Sequence, residues 1–320
     1  MTDETTAIET RALAVGQWSS LFMAAAGVTA AILSRSDALL VDGLYSGVNF
    51  VSALLAARIA RTVRRPADQR YPFGYDAYES LYVTFRALVL IGILVFALVG
   101  SGEKIFVYLS GGEVPSLVLG PILVYTVAMV VICVGLAWQY HRAWVRTGRR
   151  SDLLRTETRA ALVDGALSAG AGGALLLTPL LVGTPAEVLI PIADALIVLV
   201  LELLMLPQPL GLLRAALREI AGASASPEAV KLGGELAAEV LDRQPFRLLD
   251  LAVTKFGRTH FVVFYVEPLM PVEGATLDLL REALAAAFAG AGKPVRCEVV
   301  ATASPPFLRL EPALDGWPSR

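Results

Sequence analysis

Residues 36–60 read SDALLVDGLYSGVNFVSALLAARIA, and this stretch decides the fold. From Ala38 to about Ile59 it is mostly apolar, which matches the length of about 20 residues that a helix needs to cross a bilayer. Its polar exceptions are spaced i, i+3, i+4 and i+7, so they share one face of a helix. They are Asp42, Tyr45, Ser46 and Asn49. The stretch predicts a membrane span with a polar stripe.

Five further apolar runs of similar length lie on either side of this stretch. The predicted spans are residues 13–33, 38–59, 81–99, 117–138, 160–182 and 188–206. Only 18% of the chain is charged, below the roughly 25% of soluble domains, and the mean hydropathy is +0.63. The sequence therefore predicts a six-helix transmembrane domain over residues 13–206, preceded by a short polar segment, residues 1–12.

Basic residues in the loops predict the orientation of these spans. The loops after the second and fourth spans are rich in arginine, whereas the other loops carry little positive charge. Because arginine-rich short loops stay on the cytoplasmic side, both termini are expected in the cytoplasm. We expect a multi-pass protein of the cell (inner) membrane.

The pattern changes after the transmembrane half. The prolines at 207 and 209 are expected to end that half, since proline cannot continue a helix. Helices are then predicted over 227–243 and 273–289, strands over 247–254, 259–267 and 294–300, and a hairpin turn over 255–258. The order αββαβ predicts a cytoplasmic, ferredoxin-like α+β domain over 211–303, with both helices on one face of the sheet. Residues 304–320 are predicted to form a loose tail.

Carboxylates inside the predicted spans are the main functional signal, because a charge in hydrocarbon is costly and usually has a role. Asp164 and Ser168 lie four residues apart on the fifth span, with Glu157 further back on the same face. If the second and fifth spans pack together, their polar faces form an oxygen-rich site. The alternative is that these side chains only join helices by hydrogen bonds. Asp42 lies near a helix end that water can reach, and Asp194, near another, is expected to be solvated.

The sequence gives no support to several other functional classes. It has no basic stripe for nucleic acid, and no phosphate loop, nucleophile elbow or paired-histidine motif of an enzyme. Cys133 and Cys297 are far apart and predict neither a disulfide framework nor a metal site. We therefore expect no enzyme activity, no nucleic-acid partner and no resident cofactor.

Four segments resemble the cation diffusion facilitators, a family that exports divalent metals in exchange for protons. They are residues 36–60, RRPADQRYPFGYDAYESL at 64–81, PIADALIVLVLELLM at 191–205, and the αββαβ region. The family's loop typically reads RPPD-x-x-HPFGHGKAESL. The residues kept here are Arg65, Pro66, Asp68, Pro72, Phe73, Gly74, Glu79 and Ser80. The similarity extends over nearly the whole chain and implies a homodimer in the lipid bilayer.

The resemblance also implies which residues hold the transported ion. Family members use two residues four apart on the second helix and two on the fifth, commonly His or Asp. The matching positions here are Tyr45, Asn49, Ala160 and Asp164. Asp42 is added because it lies on the same face as Tyr45. In the loop, Tyr71 and Tyr75 replace the family's histidines, and Asp68 remains as a candidate metal ligand.

The expected ligands are Asp164, Asn49, Tyr45 and Asp42, which offer carboxylate, amide and phenol oxygens. Such a set favours an ion that prefers oxygen, namely Mn²⁺, Fe²⁺ or Mg²⁺, over Zn²⁺. One interpretation is export of a divalent cation by proton antiport, in which ionised Asp164 binds the ion and protonated Asp164 releases it. The alternative is a transport-inactive homologue that serves as a dimeric scaffold or regulatory subunit.

Overall fold

The computed structural model describes residues 3–63, 65–148, 151–242, 244–257, 259–291 and 295–304. Within these ranges the chain forms long helices followed by a small sheet with flanking helices. In chain order the elements are α1 Asp3–Ser34, α2 Asp37–Val63, α3 Ala77–Leu109, α4 Leu119–Arg146, α5 Asp152–Leu176, α6 Ala193–Met205, α7 Pro207–Ile220, α8 Pro227–Leu241, β1 Phe246–Phe256, β2 Thr259–Pro268, α9 Gly274–Gly290 and β3 Val295–Ala301. Two 3₁₀ segments, Thr178–Leu181 and Pro185–Ile192, lie between α5 and α6.

The chain divides into two compact units. The first, called here the membrane unit, contains the described residues of 1–58 and 83–213. The second, called the loop–sheet unit, contains those of 59–82 and 214–320. The loop between α2 and α3 therefore belongs to the same unit as the C-terminal sheet.

Five helical segments of the described chain are long and apolar enough to cross a membrane, which makes the protein a multi-pass membrane protein. They are Ala7–Ser34, Asp37–Val63, Ala77–Leu109, Leu119–Arg146 and Pro185–Ile220. The predicted count of six spans is not confirmed, because α5 does not belong to this set. Its charged residues and its many small alanines and glycines lower its hydropathy, although its 25 residues are long enough. α5 packs against α4 and also contacts α6.

The prolines near residue 207 do not end the helical half as predicted. α6 ends at Met205 and α7 begins at Pro207, so the helical path continues to Ile220. Proline is favourable at the first position of a helix, because the N–H that it lacks would have no partner there. The prolines thus start a new helix instead of a loop.

The membrane unit exposes many large apolar side chains and buries several polar ones. Phe96 and Leu203 are 67% and 78% exposed, whereas Ser46 and Ser168 are buried. Lipid tails are as apolar as leucine, so helices in a bilayer associate through close packing and hydrogen bonds. The distribution therefore fits a bundle that is surrounded by lipid.

Close approach of α1 and α2 depends on Gly27 and Gly43. A Cβ atom on Gly43 would lie 2.8 Å from the backbone N of Val28 and 2.9 Å from the carbonyl carbon of Gly27. These are backbone atoms of a packed helix, so no side chain can move aside to make room. The contact requires glycine at this point of α2, one residue after Asp42.

The C-terminal half of the loop–sheet unit is a mixed three-stranded sheet in the order β1-β2-β3. β1 and β2 are antiparallel, and β2 and β3 are parallel. α8 packs on β1 and α9 on β3, and the two helices contact each other. Buried side chains of β2, such as Val262 and Phe264, form one core with Leu284 of α9.

The predicted order of helices and strands is observed, but an exact ferredoxin-like topology is not confirmed. The turn between β1 and β2 is also shorter than the predicted residues 255–258, because β1 continues to Phe256. It begins at Gly257, whose φ of 58° suits glycine. Arg258 and the predicted tail beyond Ser304 lie outside the described residues.

Gly43→Ala is expected to lower the free energy of unfolding by about 1–3 kcal/mol, since the new methyl group overlaps backbone atoms of α1. Gly92→Ala is the matched control, because a Cβ atom there meets nothing within 4 Å. The control is expected to be neutral or stabilising by up to about 1 kcal/mol. Unfolding in mixed detergent micelles measures both variants. Equal effects of the two changes would contradict the packing described here.

Candidate functional site

A cavity of about 40 Å³ lies inside the membrane unit, between α1, α2, α4, α5 and α6. A water molecule needs about 10–15 Å³ of such space, so the cavity has room for a metal ion and about two waters. Its polar lining consists of Asp42, Tyr45, Ser46, Tyr125, Thr126, Asp164 and Ser168. The polar faces of α2 and α5 therefore line one cavity, which meets the condition that the sequence left open.

Asp42 is the centre of the hydrogen bonding in this cavity. The hydroxyl of Tyr125 donates to its Oδ2 atom at 2.8 Å, and the hydroxyl of Ser168 donates to the same atom at 3.0 Å. A carboxylate in a low-dielectric interior is tolerated when donors of this kind surround it. One carboxylate of α2 is thus tied to both α4 and α5.

Asp164 and Thr126 complete the wall formed by α4 and α5. The Thr126 hydroxyl is buried and has no hydrogen-bond partner in the described part of the chain. A Cβ atom on Gly172 would lie 1.9 Å from this hydroxyl, so glycine at 172 is what leaves room for it. An unpartnered hydroxyl beside two carboxylates is an oxygen that an ion can use.

Two of the four positions implied by the resemblance lie outside the cavity lining. The amide oxygen of Asn49 accepts a hydrogen bond from Arg86 Nη2 at 3.1 Å, which places a guanidinium charge against the group expected to bind a cation. Ala160 is exposed on α5. Tyr45 does line the cavity, and its hydroxyl makes a long contact of 3.5 Å with Gln208 Oε1.

The sequence argument missed residues that the fold brings to the cavity. Tyr125 and Thr126 are polar residues within the apolar run 117–138. The search for polar side chains that was applied to α2 would therefore have found them. Three methionines also line the cavity, and no pattern in the sequence marks them because methionine is an ordinary core residue. They are Met23, Met129 and Met205.

Asp68 holds a tight turn in the loop between α2 and α3. Its Oδ2 accepts from the Tyr75 hydroxyl at 2.7 Å, and its Oδ1 accepts from the backbone N–H groups of Arg70 and Tyr71 at 2.9 and 2.8 Å. These bonds, chiefly the one from Tyr75, lower the pKa of the Asp68 carboxyl. The bonding therefore stabilises the loop above about pH 4 and is lost as pH falls through the lowered folded pKa.

Aromatic rings surround this turn. Tyr71 and Tyr75 have ring centroids 4.5 Å apart, and the hydroxyls of Tyr71 and Tyr78 are 2.7 Å apart.

Among the described residues, no group of three or more His, Cys, Asp or Glu side chains is arranged to hold a metal ion. The donors on Asp68 make it a structural residue of the turn, and a metal at Asp68 stays a prediction.

The loop also contacts the sheet of its own unit. The Asp76 carboxylate accepts from the Thr259 hydroxyl at 3.1 Å and lies 3.4 Å from Arg296 Nη2. The ring of Phe73 meets that of Phe261 edge-on, with centroids 5.7 Å apart. These contacts explain why the loop and the sheet form one compact unit.

Comparison with known proteins identifies the family. The sequence profile of the cation efflux transmembrane domain matches residues 13–221, which is more than half of the chain. The chain belongs to the cation efflux family. The matched segment contains α2, α4, α5 and α6, and with them the whole cavity.

Several curated relatives are similar over shorter segments. The metal cation efflux system protein CzcD of Cupriavidus metallidurans is 32% identical over 73 residues, 23% of each chain. The manganese efflux system protein MneP of Bacillus subtilis is 24% identical over 115 residues, 36% of this chain and 38% of its own. The magnetosome protein MamB of Paramagnetospirillum magneticum is 35% identical over 88 residues, 27% of this chain and 28% of its own. These matches span well under two thirds of the relatives' lengths.

Tyr75→Phe is expected to loosen the loop, because it removes the hydroxyl that donates to Asp68. Trypsin should then cleave after Arg70 about fivefold faster, since the open loop is populated more often. Cleavage of the purified full chain at neutral pH is followed by mass spectrometry. Tyr108→Phe, which deletes a hydroxyl bonded to the Val188 carbonyl instead, is the control. Unchanged cleavage in Tyr75→Phe would mean that the bond does not hold the turn.

Proposed function

We propose that this chain exports a divalent metal cation across the cell membrane by proton antiport. One observation carries the proposal: Asp42 of α2 and Asp164 of α5 line a single ion-sized cavity inside the family's transmembrane domain. Two relatives that are named for metal cation efflux and manganese efflux support the substrate class.

The two carboxylates suggest how the exchange is driven. Two negative charges that face one small cavity of low dielectric repel each other, so neutralisation by bound positive charge is strongly favoured. A divalent cation and protons compete for the same oxygens of Asp42 and Asp164. Proton entry therefore displaces the ion, and loss of the protons restores the site. Rocking of the helices around the cavity would expose it to each side in turn.

The lining also suggests which ions are transported. Carboxylate, phenol and hydroxyl oxygens suit Mn²⁺, Fe²⁺ and Mg²⁺ better than Zn²⁺. The thioether sulfurs of Met23, Met129 and Met205 are soft ligands that disfavour Mg²⁺, and they are outnumbered by the oxygens that disfavour Zn²⁺. We therefore infer that Mn²⁺ and Fe²⁺ are preferred over both Mg²⁺ and Zn²⁺.

The location and assembly of the transporter follow from the loops and from the family. We infer from the arginine-rich loops that both termini lie in the cytoplasm and that the protein lies in the inner membrane. A homodimer is expected from the resemblance. Val263 lies half-buried on the sheet face opposite the α8–α9 core, where it offers apolar surface to a second copy.

A transport-inactive scaffold or regulatory subunit is the second candidate. The observation in its favour is the bond between Arg86 and Asn49, which brings a positive charge to a position that the family uses for ion binding. With Asn49 engaged and Ala160 lacking a ligand atom, two carboxylates remain among the described residues of the cavity lining. The two candidates are separated by a direct transport measurement.

Purified protein in vesicles with a pH gradient is expected to take up Mn²⁺ or Fe²⁺. Asp164→Ala and Asp42→Asn should each lower the uptake rate by about 100-fold or more, because one charged ligand of two is lost. Glu103→Gln, which neutralises an exposed acid on α3, is the matched control and should transport normally. Uptake is measured by stopped-flow with an ion-sensitive dye, across Mn²⁺, Fe²⁺, Co²⁺, Zn²⁺, Cd²⁺ and Mg²⁺.

Three results of this assay would each contradict one part of the proposal. If a folded wild-type protein moves no ion, the scaffold candidate replaces the transporter. If ions move and Asp164→Ala has no effect, the cavity is not the transport site. If uptake does not depend on the pH gradient, transport is not coupled to protons.

Met129→Leu is expected to change ion selectivity with little effect on folding, since the two side chains have similar volumes. The ratio of Mn²⁺ to Mg²⁺ uptake should fall by about threefold or more when the soft ligand is lost. Met270→Leu, at an exposed position of the loop–sheet unit, is the control. An unchanged ratio in Met129→Leu would show that the methionines only fill space.

A further inference from the structure

Asp194 lies in the first turn of α6 and is buried, with 3% of its surface exposed, although the sequence suggested a solvated side chain. The Ser36 hydroxyl donates to its Oδ1 at 2.5 Å, and the backbone N–H of Ala38 donates to the same atom at 3.3 Å. The backbone N–H of Asp37 donates to Oδ2 at 2.8 Å. One carboxylate of α6 thus binds three consecutive residues at the start of α2.

Lys104 of α3 joins the same cluster. Its Nζ atom lies 3.3 Å from Asp194 Oδ2 and 2.7 Å from Asp37 Oδ2. The ammonium group balances part of the negative charge of the two carboxylates, which makes the buried position of Asp194 tolerable. The beginnings of α2 and α6 and the last turns of α3 are therefore held together by Asp194 and Lys104.

A simple helix cap does not require this arrangement. α2 already has a cap of its own, because the backbone N–H of Leu39 donates to the Ser36 hydroxyl oxygen at 3.3 Å. Asp194 adds acceptors from a different helix for the N–H groups of Asp37 and Ala38. Free N–H groups at a helix start are costly away from water. The added bonds therefore stabilise the first turn of α2 and also fix its position relative to α6.

These bonds reach the candidate ion site directly. Ala38, whose N–H binds Asp194, lines the cavity, and so do Leu39 and Val41. Asp42 follows Ala38 by four residues, which is about one helical turn. A shift of the start of α2 would therefore carry Asp42 with it, away from Asp164, Tyr125 and Ser168.

We propose that Asp194 is a positioning residue of the ion cavity: by binding the start of α2 from α6, it places Asp42 opposite Asp164. The inference rests on the proposed function where it concerns an ion, and on geometry alone where it concerns α2. Asp194 does not itself line the cavity, so it acts through the backbone of α2.

Hydrogen–deuterium exchange of the full chain in detergent tests the geometric part. In Asp194→Ala, amide exchange in the segment 37–42 is expected to be about tenfold faster, as for a lost helix cap. Asp194→Asn keeps one acceptor oxygen and should give an intermediate rate. Glu187→Ala is the matched control, since this exposed acid seven residues earlier binds only the N–H of Gly183 among the contacts described. Exchange in α4 should be unchanged in all three variants.

The ion-dependent part is tested by uptake into vesicles. Misplacement of Asp42 weakens binding, so Asp194→Ala is expected to raise the half-saturating ion concentration about tenfold, with partial recovery in Asp194→Asn. A purely structural role would instead lower the maximal rate through loss of folded protein and leave half-saturation unchanged. Glu187→Ala should match the wild type in both quantities.

Each outcome tests one part of the inference about Asp194. Unchanged exchange at 37–42 in Asp194→Ala overturns the inference even if the wild type transports ions. Faster exchange with unchanged half-saturation overturns the link to the ion site. If the wild type moves no ion, the proposed function fails, while the exchange data still decide whether Asp194 fixes α2.

Discussion

A carboxylate among helices in a membrane is costly unless donors surround it, and two carboxylates of the membrane unit, Asp42 and Asp194, are surrounded in this way. Asp42 receives hydroxyls from α4 and α5, and Asp194 receives backbone and side-chain donors from α2 together with Lys104 of α3. Because hydrocarbon offers no substitute for these donors, the helices that supply them have little freedom to separate. The same bonds that allow the charges to be buried therefore fix the helices around the cavity.

Small residues allow the helices around the candidate cavity to pack closely. Gly43 lets α2 approach the backbone of α1, and Gly172 lets α5 approach Thr126 of α4. The two glycines therefore set how closely the helices around the candidate cavity pack, although neither offers a side-chain ligand.

In the loop–sheet unit, hydrogen bonds to carboxylates order a loop. The Asp68 carboxylate, which stays a predicted metal ligand, accepts from Tyr75 and from two backbone N–H groups. At the positions where the family resemblance has histidines, Tyr71 and Tyr75 supply hydroxyl groups and a tilted contact between their rings. Asp76 and Phe73 then fasten the turn to the sheet, so the loop is ordered by hydrogen bonds and packing.

The sequence by itself determined the apolar helices, the order of helices and strands after residue 226, and the polar stripe on α2, because period and composition are local properties. It also identified Asp42, Tyr45 and Asp164 as cavity residues, since a carboxylate in a hydrophobic run is rare. Only the tertiary structure decided that Asn49 faces Arg86, that Tyr125, Thr126 and three methionines join the cavity, and that Asp194 is buried. These facts depend on which face of one helix meets which face of another, and that is set by packing between residues far apart in the chain.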